Sequence, residues 1–551
     1  MRRRLLAALL LLALAATSHA AATTPGRPPK LVVILVVDQM RADYIDRFGH
    51  QWSRGLRRLI DQGAWFRLAA YPYANTVTCV GHSTIATGSL PATHGIVANS
   101  WWDRSAGRVV ACTEDPRETV VSYGGAIKGG NSVANLLVPT FSDELRAEMP
   151  VAPHVVTFSM KDYTAVTLAG HHADAATWFN AGAHAFATSS AFSRTPVPFV
   201  AGFIRAHPIE ADLDKVWTPM LPASAYLYED AAAGERPPAF WSRSFPHPLR
   251  RADGRSEEDA YSAWEESPFS DAYLGRMAAA AVDALGLGKG RGTDYLAISF
   301  SALDLVGHDF GPHSHEVQDV LVRLDATIGE LLAHLDRTVG PAGYVVALAA
   351  DHGVAPIPEE RAAQGLDAGR ILTSDLVDRL EKALEAALGP GRHVSRMMAG
   401  EVYLAPGVME KIEANPAAMR AALDEVRRTP GVLDVLRGDE LRERRTSGDP
   451  IVRAIALGYW PARSGDLVVL ARPYWFFVAG QGASPGAAST HGSPNQYDQR
   501  VPLILMGAGI RQGEYFQPAS PADIAPTLAF LCGITLSRPD GRVLTEAIAQ
   551  K

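Results

Sequence analysis

Four short apolar runs, rich in β-branched residues, constrain the fold of this chain more than any other feature. Each run is followed by a polar or glycine-bearing loop, and the runs cover residues 31–37, 295–300, 344–349 and 501–506. Apolar runs of this length are typical of strands that are buried on both faces, as in parallel sheets. Between them, residues 316–335 have apolar side chains at helical spacing. This alternation predicts a doubly wound α/β domain with a largely parallel sheet sandwiched by helices.

Two long stretches interrupt this alternation. Residues 193–271 are rich in proline, tryptophan and charge, whereas residues 392–472 have the pattern strand, helix (417–428), strand and turn. A length of 551 residues is compatible with more than one domain, but also with one large α/β domain that carries insertions. We predict one large α/β domain over 21–551, with cap insertions at about 193–271 and 392–472.

The N-terminus predicts export. Three arginines at positions 2–4 precede an apolar run over 5–16, which is too short to span a membrane comfortably, and the small residues Ser18 and Ala20 follow it. An uncleaved anchor is the alternative, but the polar segment after Ala20 favours a cleaved signal peptide over residues 1–20. We expect a periplasmic or secreted protein without stable membrane insertion.

Charge and cysteine content disfavour several classes of protein. The 52 basic and 59 acidic residues form no long basic stripe, which argues against a nucleic-acid partner and favours small molecules. Three cysteines are too few for a disulfide scaffold, and they form no Cys-x-x-Cys pair that would predict a cysteine metal site. The fold must therefore depend on its hydrophobic core.

Aspartate and histidine residues lie near the ends of the predicted strands, where an open α/β sheet binds its ligands. The residues are Asp38, Asp304, His308, Asp351, His352 and His491. A single Asp-His pair is commonly an ordinary hydrogen-bonded loop, and a lone aspartate commonly caps a helix. Six oxygen and nitrogen ligands at one predicted edge instead favour two zinc ions that share a substrate.

A candidate nucleophile lies in residues 75–88. This segment predicts a loop that enters a short helix closed by Gly88, with Thr78 at the helix N-terminus. Backbone amides and the helix dipole favour an alkoxide and a bound phosphoryl group at such a position. The alternative for Thr78 is a purely structural N-cap.

These residues together resemble the alkaline phosphatase superfamily. The resemblance is to the threonine-nucleophile branch of bacterial phosphate-irrepressible alkaline phosphatases, which is related to the nucleotide pyrophosphatase/phosphodiesterases. The matching segments occur in order at 37–41, 78–82, 94–99, 159–162, 304–308, 350–353 and 490–494. The resemblance implies an alkaline phosphatase-like fold and hydrolysis of small-molecule phosphate monoesters; it implies no particular oligomeric state.

The resemblance also implies which residues hold each of two zinc ions per chain. It assigns one ion to a group that we call set A, consisting of Asp304, His308 and His491. It assigns the other ion to a group that we call set B, consisting of Asp38, Asp351 and His352, with Thr78 bound to the same ion.

Further roles follow from the same resemblance. Asn99 and the backbone amide of Cys79 would hold nonbridging phosphoryl oxygens, and Lys161 would donate to the transferring group from the other side. Thr78 would attack phosphorus in line while the set A ion takes the charge on the leaving oxygen, and hydrolysis of the phosphothreonine would complete the cycle.

The chain departs from the branch at Tyr163. Where the family pattern reads Lys-Asp-Arg, this chain has Lys161-Asp162-Tyr163. Arginine would clamp a dianionic phosphoryl group with a planar fork, whereas tyrosine offers one hydroxyl. We therefore predict broad specificity with a relaxed preference for monoesters. The alternative is that another arginine occupies the same space, and the candidates are Arg243, Arg250, Arg251 and Arg255.

Three alternative functions fit the sequence less well. A phosphodiesterase or nucleotide pyrophosphatase on the same fold is favoured by Tyr163 and disfavoured by Lys161. A sulfatase is disfavoured because the nucleophile segment lacks Cys-x-Pro-x-Arg, and an inactive binding protein is disfavoured because all six ligands are present.

In an oxidising compartment, Cys79 and Cys112 would form either a disulfide that braces the site or two separate buried thiols.

Overall fold

The computed structural model describes residues 27–250, 257–479 and 486–550. The predicted signal peptide, residues 1–20, lies outside these ranges. Among the described helices, none is both long and apolar enough to cross a membrane.

A ten-stranded sheet forms the centre of the molecule. Its strands in chain order are β1 (Leu31–Val37), β2 (Ala64–Phe66), β3 (Val120–Ser122), β4 (Val155–Ser159), β5 (Ala175–Asn180), β6 (Ala185–Ser189), β7 (Asp294–Phe300), β8 (Tyr344–Ala349), β9 (Leu503–Gly507) and β10 (Gly513–Tyr515). Their order across the sheet is β10-β2-β9-β8-β1-β7-β4-β5-β6-β3. The strands from β8 to β5 in this order are mutually parallel, and antiparallel pairs occur towards both edges. The predicted α/β class with a largely parallel sheet is confirmed.

The register of the central strands brings their carboxyl ends together. Strand β1 is fully buried and pairs in parallel with β7 on one side and β8 on the other. Val37 lies beside Phe300, and Val36 lies beside Ala349. The residues that follow these three strands therefore leave the sheet at the same edge, which is the edge predicted to bind ligand.

The fourth predicted run differs from the other three in its direction. It forms β9, which begins at Leu503 instead of residue 501 and runs antiparallel to β8. Because of this direction, the chain before β9 lies at the edge where the parallel strands end. The loop that carries His491 therefore reaches the same edge as the residues after β1, β7 and β8.

Helices cover both faces of the sheet. The α-helices of the described residues are α1 (Asp43–Phe48), α2 (Gly55–Gln62), α3 (Thr78–Thr87), α4 (Pro91–His94), α5 (Phe141–Glu148), α6 (Asp162–Ala169), α7 (Pro198–Ala206), α8 (Glu257–Glu265), α9 (Pro268–Leu285), α10 (Ala302–Phe310), α11 (His315–Thr338), α12 (Pro358–Ala363), α13 (Thr373–Leu388), α14 (Val408–Ala414), α15 (Pro416–Arg427), α16 (Gly438–Leu441), α17 (Pro450–Gly458), α18 (Gln496–Gln499) and α19 (Ile524–Cys532). Helix α11 confirms the helix predicted over 316–335, and the Ser314 hydroxyl caps it by accepting from Val317 N–H.

The second interrupting stretch contains a smaller sheet with its own core. Its antiparallel strands lie in the order Val394–Met398, Glu401–Leu404, Leu467–Ala471, Val432–Arg437. We call this the insertion sheet. Its apolar core, which includes side chains of α13 and α15, is separate from the two clusters on the faces of the central sheet. The helix predicted at 417–428 is α15.

Other short strands lie outside both sheets described above. Pairs form between Ser100–Asp103 and Arg108–Ala111, between Val216–Trp217 and His247–Pro248, and between Gly369–Leu372 and Trp475–Val478. The middle pair, with α7 and α8, belongs to the first interrupting stretch. That the two stretches act as caps stays a prediction.

Candidate active site

Helix α3 presents Thr78 at its N-terminus, as the sequence predicted. The N-cap residue is Val77, which is extended and makes no side-chain capping bond, so Thr78 is the first helical residue. Gly88 closes the helix in a left-handed conformation with φ of 70°. Thr78 is buried, and its Oγ1 lies 3.2 Å from Nε2 of His352. The hydroxyl therefore faces set B and does not cap the helix.

The helix packs directly on the loop after β8. A Cβ atom at Gly81 would collide with the backbone and Cβ of Asp351. Only glycine permits this approach, which holds the N-terminus of α3 beside Asp351 and His352.

Set A combines one helix face with one loop. Asp304 lies in the first turn of α10, and His308 lies one turn later on the same face. Nε2 of His308 is 3.2 Å from Oδ1 of Asp304, and Nε2 of His491 is 3.8 Å from the same oxygen. These three side chains form a group whose ligand atoms all lie within 4.8 Å of one another.

Set B lies at the ends of β1 and β8. Nε2 of His352 is 3.4 Å from Oδ1 of Asp38 and 3.5 Å from Oδ2 of Asp351, and all three side chains are fully buried. Asp304 also lies next to this set, because its carboxylate, Asp38 and His352 form a second group within 4.8 Å. The two predicted sets therefore adjoin each other.

The three histidines share one hydrogen-bonding pattern. Nδ1 of each ring lies 2.9 Å from a backbone carbonyl; His308 contacts Ser489, His352 contacts Gly353 and His491 contacts Thr76. A carbonyl can only accept, so Nδ1 carries a proton and Nε2 is the ring atom that lies beside the carboxylates. This is the arrangement in which backbone groups orient histidine ligands around a metal ion.

The carboxylates create a strongly negative, buried environment. Burial, together with the charges of Asp304 and Asp351, raises the pKa of Asp38 well above its usual range. Lys161 donates to Asp38 at 2.6 Å and to Asp304 at 2.5 Å. Within the described chain, Oδ1 of Asp38 and Oδ2 of Asp351 accept no hydrogen bond. Buried carboxylate oxygens without donors, beside imidazole nitrogens, fit the binding of cations.

Asn99 contacts the first turn of helix α3 at Cys79. Cys79 N–H donates to Oδ1 of Asn99 at 2.8 Å, so the two groups that were predicted to bind phosphoryl oxygens contact each other. Cys79 is joined to Cys112 by a disulfide, and Cys112 N–H donates to the Asn99 carbonyl at 2.9 Å. Of the two alternatives for these cysteines, the structure has the disulfide, which links α3 to the segment after Asn99.

Lys161 contacts a carboxylate of each set, and Tyr163 lies close to Lys161. Strand β4 ends at Ser159, and Lys161 is the N-cap residue of α6. Burial raises the pKa of the half-buried Tyr163 hydroxyl, so Tyr163 stays neutral near Lys161.

The alternative arginines belong to the first interrupting stretch, and their role as a clamp stays a prediction. Arg243 and Arg250 are exposed, and Arg250 pairs with Asp214 at 3.1 Å. Arg251 and Arg255 lie outside the described residues.

Two further residues organise the site, and the sequence analysis assigned no role to either. Gln39 has φ of 67°; its backbone N–H donates to Asp351 at 3.1 Å, and its side-chain amide donates to Asp304 at 2.6 Å. His82 lies on α3 with Nδ1 2.9 Å from the Thr78 carbonyl and 3.2 Å from Oδ2 of Asp351. Their positions inside the matched segments 37–41 and 78–82 were the available signal, but spacing does not show where a side chain points.

Comparison with known proteins assigns the chain to a family. The family model for type I phosphodiesterase/nucleotide pyrophosphatase matches residues 32–494. The chain belongs to this family. It is 31% identical to alkaline phosphatase PafA of Elizabethkingia meningoseptica, with 94% of each chain covered. It is also 33% identical to a protein of Myroides odoratus named calcium-transporting ATPase, again with 94% of each chain covered.

Solved structures of PafA extend this similarity to three dimensions. The wild-type crystal structure matches with a TM-score of 0.86 and 31% identity, covering 95% of this chain and 100% of PafA. Membership of the alkaline phosphatase superfamily and the alkaline phosphatase-like fold are thereby confirmed. This member of the phosphodiesterase family is an alkaline phosphatase-type phosphoric monoester hydrolase.

A PafA variant adds one observation about spacing. Its structure, which matches with a TM-score of 0.87, carries substitutions at a threonine, an asparagine, a lysine and an arginine. The intervals between those four positions equal the intervals between Thr78, Asn99, Lys161 and Tyr163 in this chain.

Proposed function

We propose that this protein hydrolyses phosphate monoesters with two zinc ions through a covalent phosphothreonine at Thr78. The observation that carries this proposal is the convergence of set A, set B and the Thr78 hydroxyl at one edge of the sheet. Each histidine of the two sets presents Nε2 towards a carboxylate, as a ligand of a metal ion does.

The donor chemistry supports zinc in particular. Set A would hold one ion and set B the other, and neutral imidazoles with carboxylates are ligands that zinc commonly takes. Two such ions supply Lewis acidity, which stabilises the attacking and the leaving oxygens of an in-line displacement.

Thr78 performs the nucleophilic step in this proposal. Its hydroxyl lies beside His352 at the N-terminus of α3, where backbone amides and the helix dipole favour its alkoxide. Attack by Oγ1 forms the bond to phosphorus and breaks the bond from phosphorus to the ester oxygen, and the proton that the Thr78 hydroxyl loses balances the one that the leaving alcohol gains. Water then cleaves the phosphothreonine, which releases phosphate and restores the Thr78 hydroxyl.

The surrounding polar groups hold the phosphoryl oxygens. The backbone amide of Cys79, which follows Thr78 in the chain, donates to Oδ1 of Asn99, and the Lys161 ammonium lies between Asp38 and Asp304. Charge-assisted bonds from Lys161 stabilise a phosphoryl group strongly. Tyr163, which is neutral, adds at most one hydroxyl donor, and this supports broad specificity with a relaxed preference for monoesters. We also propose that the protein acts in the periplasm or outside the cell.

Mass spectrometry of acid-quenched turnover mixtures tests the covalent step. We expect phosphate on Thr78 in the wild type, no phosphorylated peptide in Thr78→Ala, and substantial turnover in Thr78→Ser. Phosphate on a different residue, or wild-type turnover by Thr78→Ala, would refute the proposal.

A second candidate is hydrolysis of phosphodiesters. It is favoured by Tyr163 at the position where the branch has arginine, whereas Lys161 disfavours it. The ratio of kcat/KM for an aryl monoester to that for the matching diester separates the two candidates. We expect a ratio above one, and a ratio below one would favour the diesterase.

A further inference from the structure

A cavity of about 430 Å³ opens beside the active site. One wall carries Asn99 and His491, and the facing wall comes from the insertion sheet and its neighbours, including Met398, Tyr459 and Phe477. This volume falls within the range of pockets that bind small molecules. The cavity therefore joins the phosphoryl-transfer site to a surface that the central sheet does not supply.

The lining of the cavity is mainly apolar and aromatic. Several polar groups in its wall already bond to the protein. Tyr403 donates to the Arg463 carbonyl at 2.8 Å, and Asn75 donates to the carbonyls of Val97 and Gly458 at 2.6 and 3.1 Å. A ligand in the cavity would gain free energy mainly by burying apolar surface.

The position of His491 indicates which part of a substrate enters this cavity. His491 belongs to set A, the set on the leaving-oxygen side in the proposed function, whereas Asn99 holds a nonbridging oxygen. We propose that the cavity binds the apolar, aromatic part of the alcohol that leaves with the ester oxygen. This inference rests on the proposed function, and it names esters of aromatic alcohols as the preferred substrate class.

A pair of primary alkyl esters tests this preference, because the two esters have nearly the same intrinsic reactivity. Ethyl phosphate and 2-phenylethyl phosphate differ in the ring that would enter the cavity. We expect kcat/KM for the phenylethyl ester to exceed that for the ethyl ester about tenfold or more, because the ring leaves water. We also expect 2-phenylethanol to inhibit competitively at concentrations at which ethanol has no effect.

Adjacent methionines provide a test variant and its control. Met398 lines the cavity, whereas Met397 packs against the core of the insertion sheet, as alternation along a strand requires. Met398→Ala should lower the phenylethyl-to-ethyl ratio about threefold or more, and Met397→Ala should leave the ratio unchanged.

The outcomes separate this inference from the proposed function. Hydrolysis of both esters with equal kcat/KM, and no inhibition by 2-phenylethanol, would overturn the pocket assignment while the proposed function stands. Hydrolysis of neither ester would overturn both. If Met398→Ala does not fold, inhibition of the wild type by 2-phenylethanol still decides the assignment.

Discussion

The two predicted ligand sets are built by different parts of the fold. Set B follows directly from strands β1 and β8, and the side chains of Asp38, Asp351 and His352 are fully buried. Set A takes two residues from one face of α10 and a third from the loop before β9, and its His308 side chain is 26% exposed. The sheet therefore fixes one set, whereas a helix and a loop assemble the other at the edge of the solvent.

This difference has a functional consequence. Thr78, the proposed nucleophile, faces the buried set, because its Oγ1 lies 3.2 Å from Nε2 of His352. The more open set borders the cavity through His491, and in the proposed function this is where the alcohol leaves. We expect the two sets to respond differently to substitution and to small molecules.

The largest effects are expected from the histidines of the two sets. His352→Ala and His308→Ala should each lower kcat by about 10³-fold or more, with little change in KM, because each removes stabilisation of the transition state. Asp351→Asn should behave like His352→Ala. Added imidazole should restore part of the activity of His308→Ala, which borders solvent, but none of His352→Ala. Equal rescue of both variants would show that the two sets do not differ in access.

Gln39 tests how far the two sets depend on one residue. It donates to Asp351 and to Asp304, so Gln39→Leu should weaken zinc binding about 10- to 100-fold, as the loss of groups that orient ligands does. Zinc titration monitored by calorimetry measures this directly. Gln62→Leu, on the exposed face of α2, is the control. A Gln39→Leu protein with unchanged zinc affinity would mean that the sets are positioned independently.

Substitution of Tyr163 tests how the site distinguishes monoesters from diesters. Its position beside Lys161 is where the branch has arginine, and a charged hydrogen bond contributes about 1.5–3 kcal/mol. Tyr163→Arg should therefore raise the monoester-to-diester ratio of kcat/KM by about ten- to hundredfold. Tyr163→Phe serves as a control without a hydroxyl or a charge. An unchanged or lowered ratio in Tyr163→Arg would exclude Tyr163 from the clamp position.

The disulfide should affect stability more than catalysis. It links helix α3 to the segment after Asn99. Cys112→Ser should lower the free energy of unfolding by about 2–4 kcal/mol, while Thr78 stays on a helix that the central core still holds. Thermal unfolding of Cys112→Ser and of the buried-thiol control Cys532→Ser measures the difference. Loss of all activity in folded Cys112→Ser would mean that the disulfide positions the nucleophile.

The positions of the buried strands, and of the residues that follow them, were predictable from the hydrophobic runs. The strands at 31–37 and 344–349 agree with β1 and β8, and residues at their ends meet because parallel strands share an edge. The antiparallel direction of β9 was not readable, because an apolar run carries no information about direction. Short strands such as β2 and β3 also left no periodic signal.

The sequence predicted which aspartates and histidines of the candidate site lie together, but not all of their contacts. The predicted residues of each set do lie together, although Asp304 adjoins set B as well as set A. The role of Gln39 depends on a left-handed backbone conformation, which is uncommon for glutamine and was not predictable from the sequence. The contact between the Cys79 amide and Asn99 was likewise hidden, because tertiary packing alone brings them together.

The zinc content of the metal-replete protein tests the central claim most directly. Elemental analysis after dialysis, normalised to chain concentration, should give two zinc ions per chain in the wild type. The same measurement on Thr78→Ala, which removes no aspartate or histidine ligand, should also give two. A value of one or zero in active wild-type protein would contradict the account, because the two sets would then not each hold an ion.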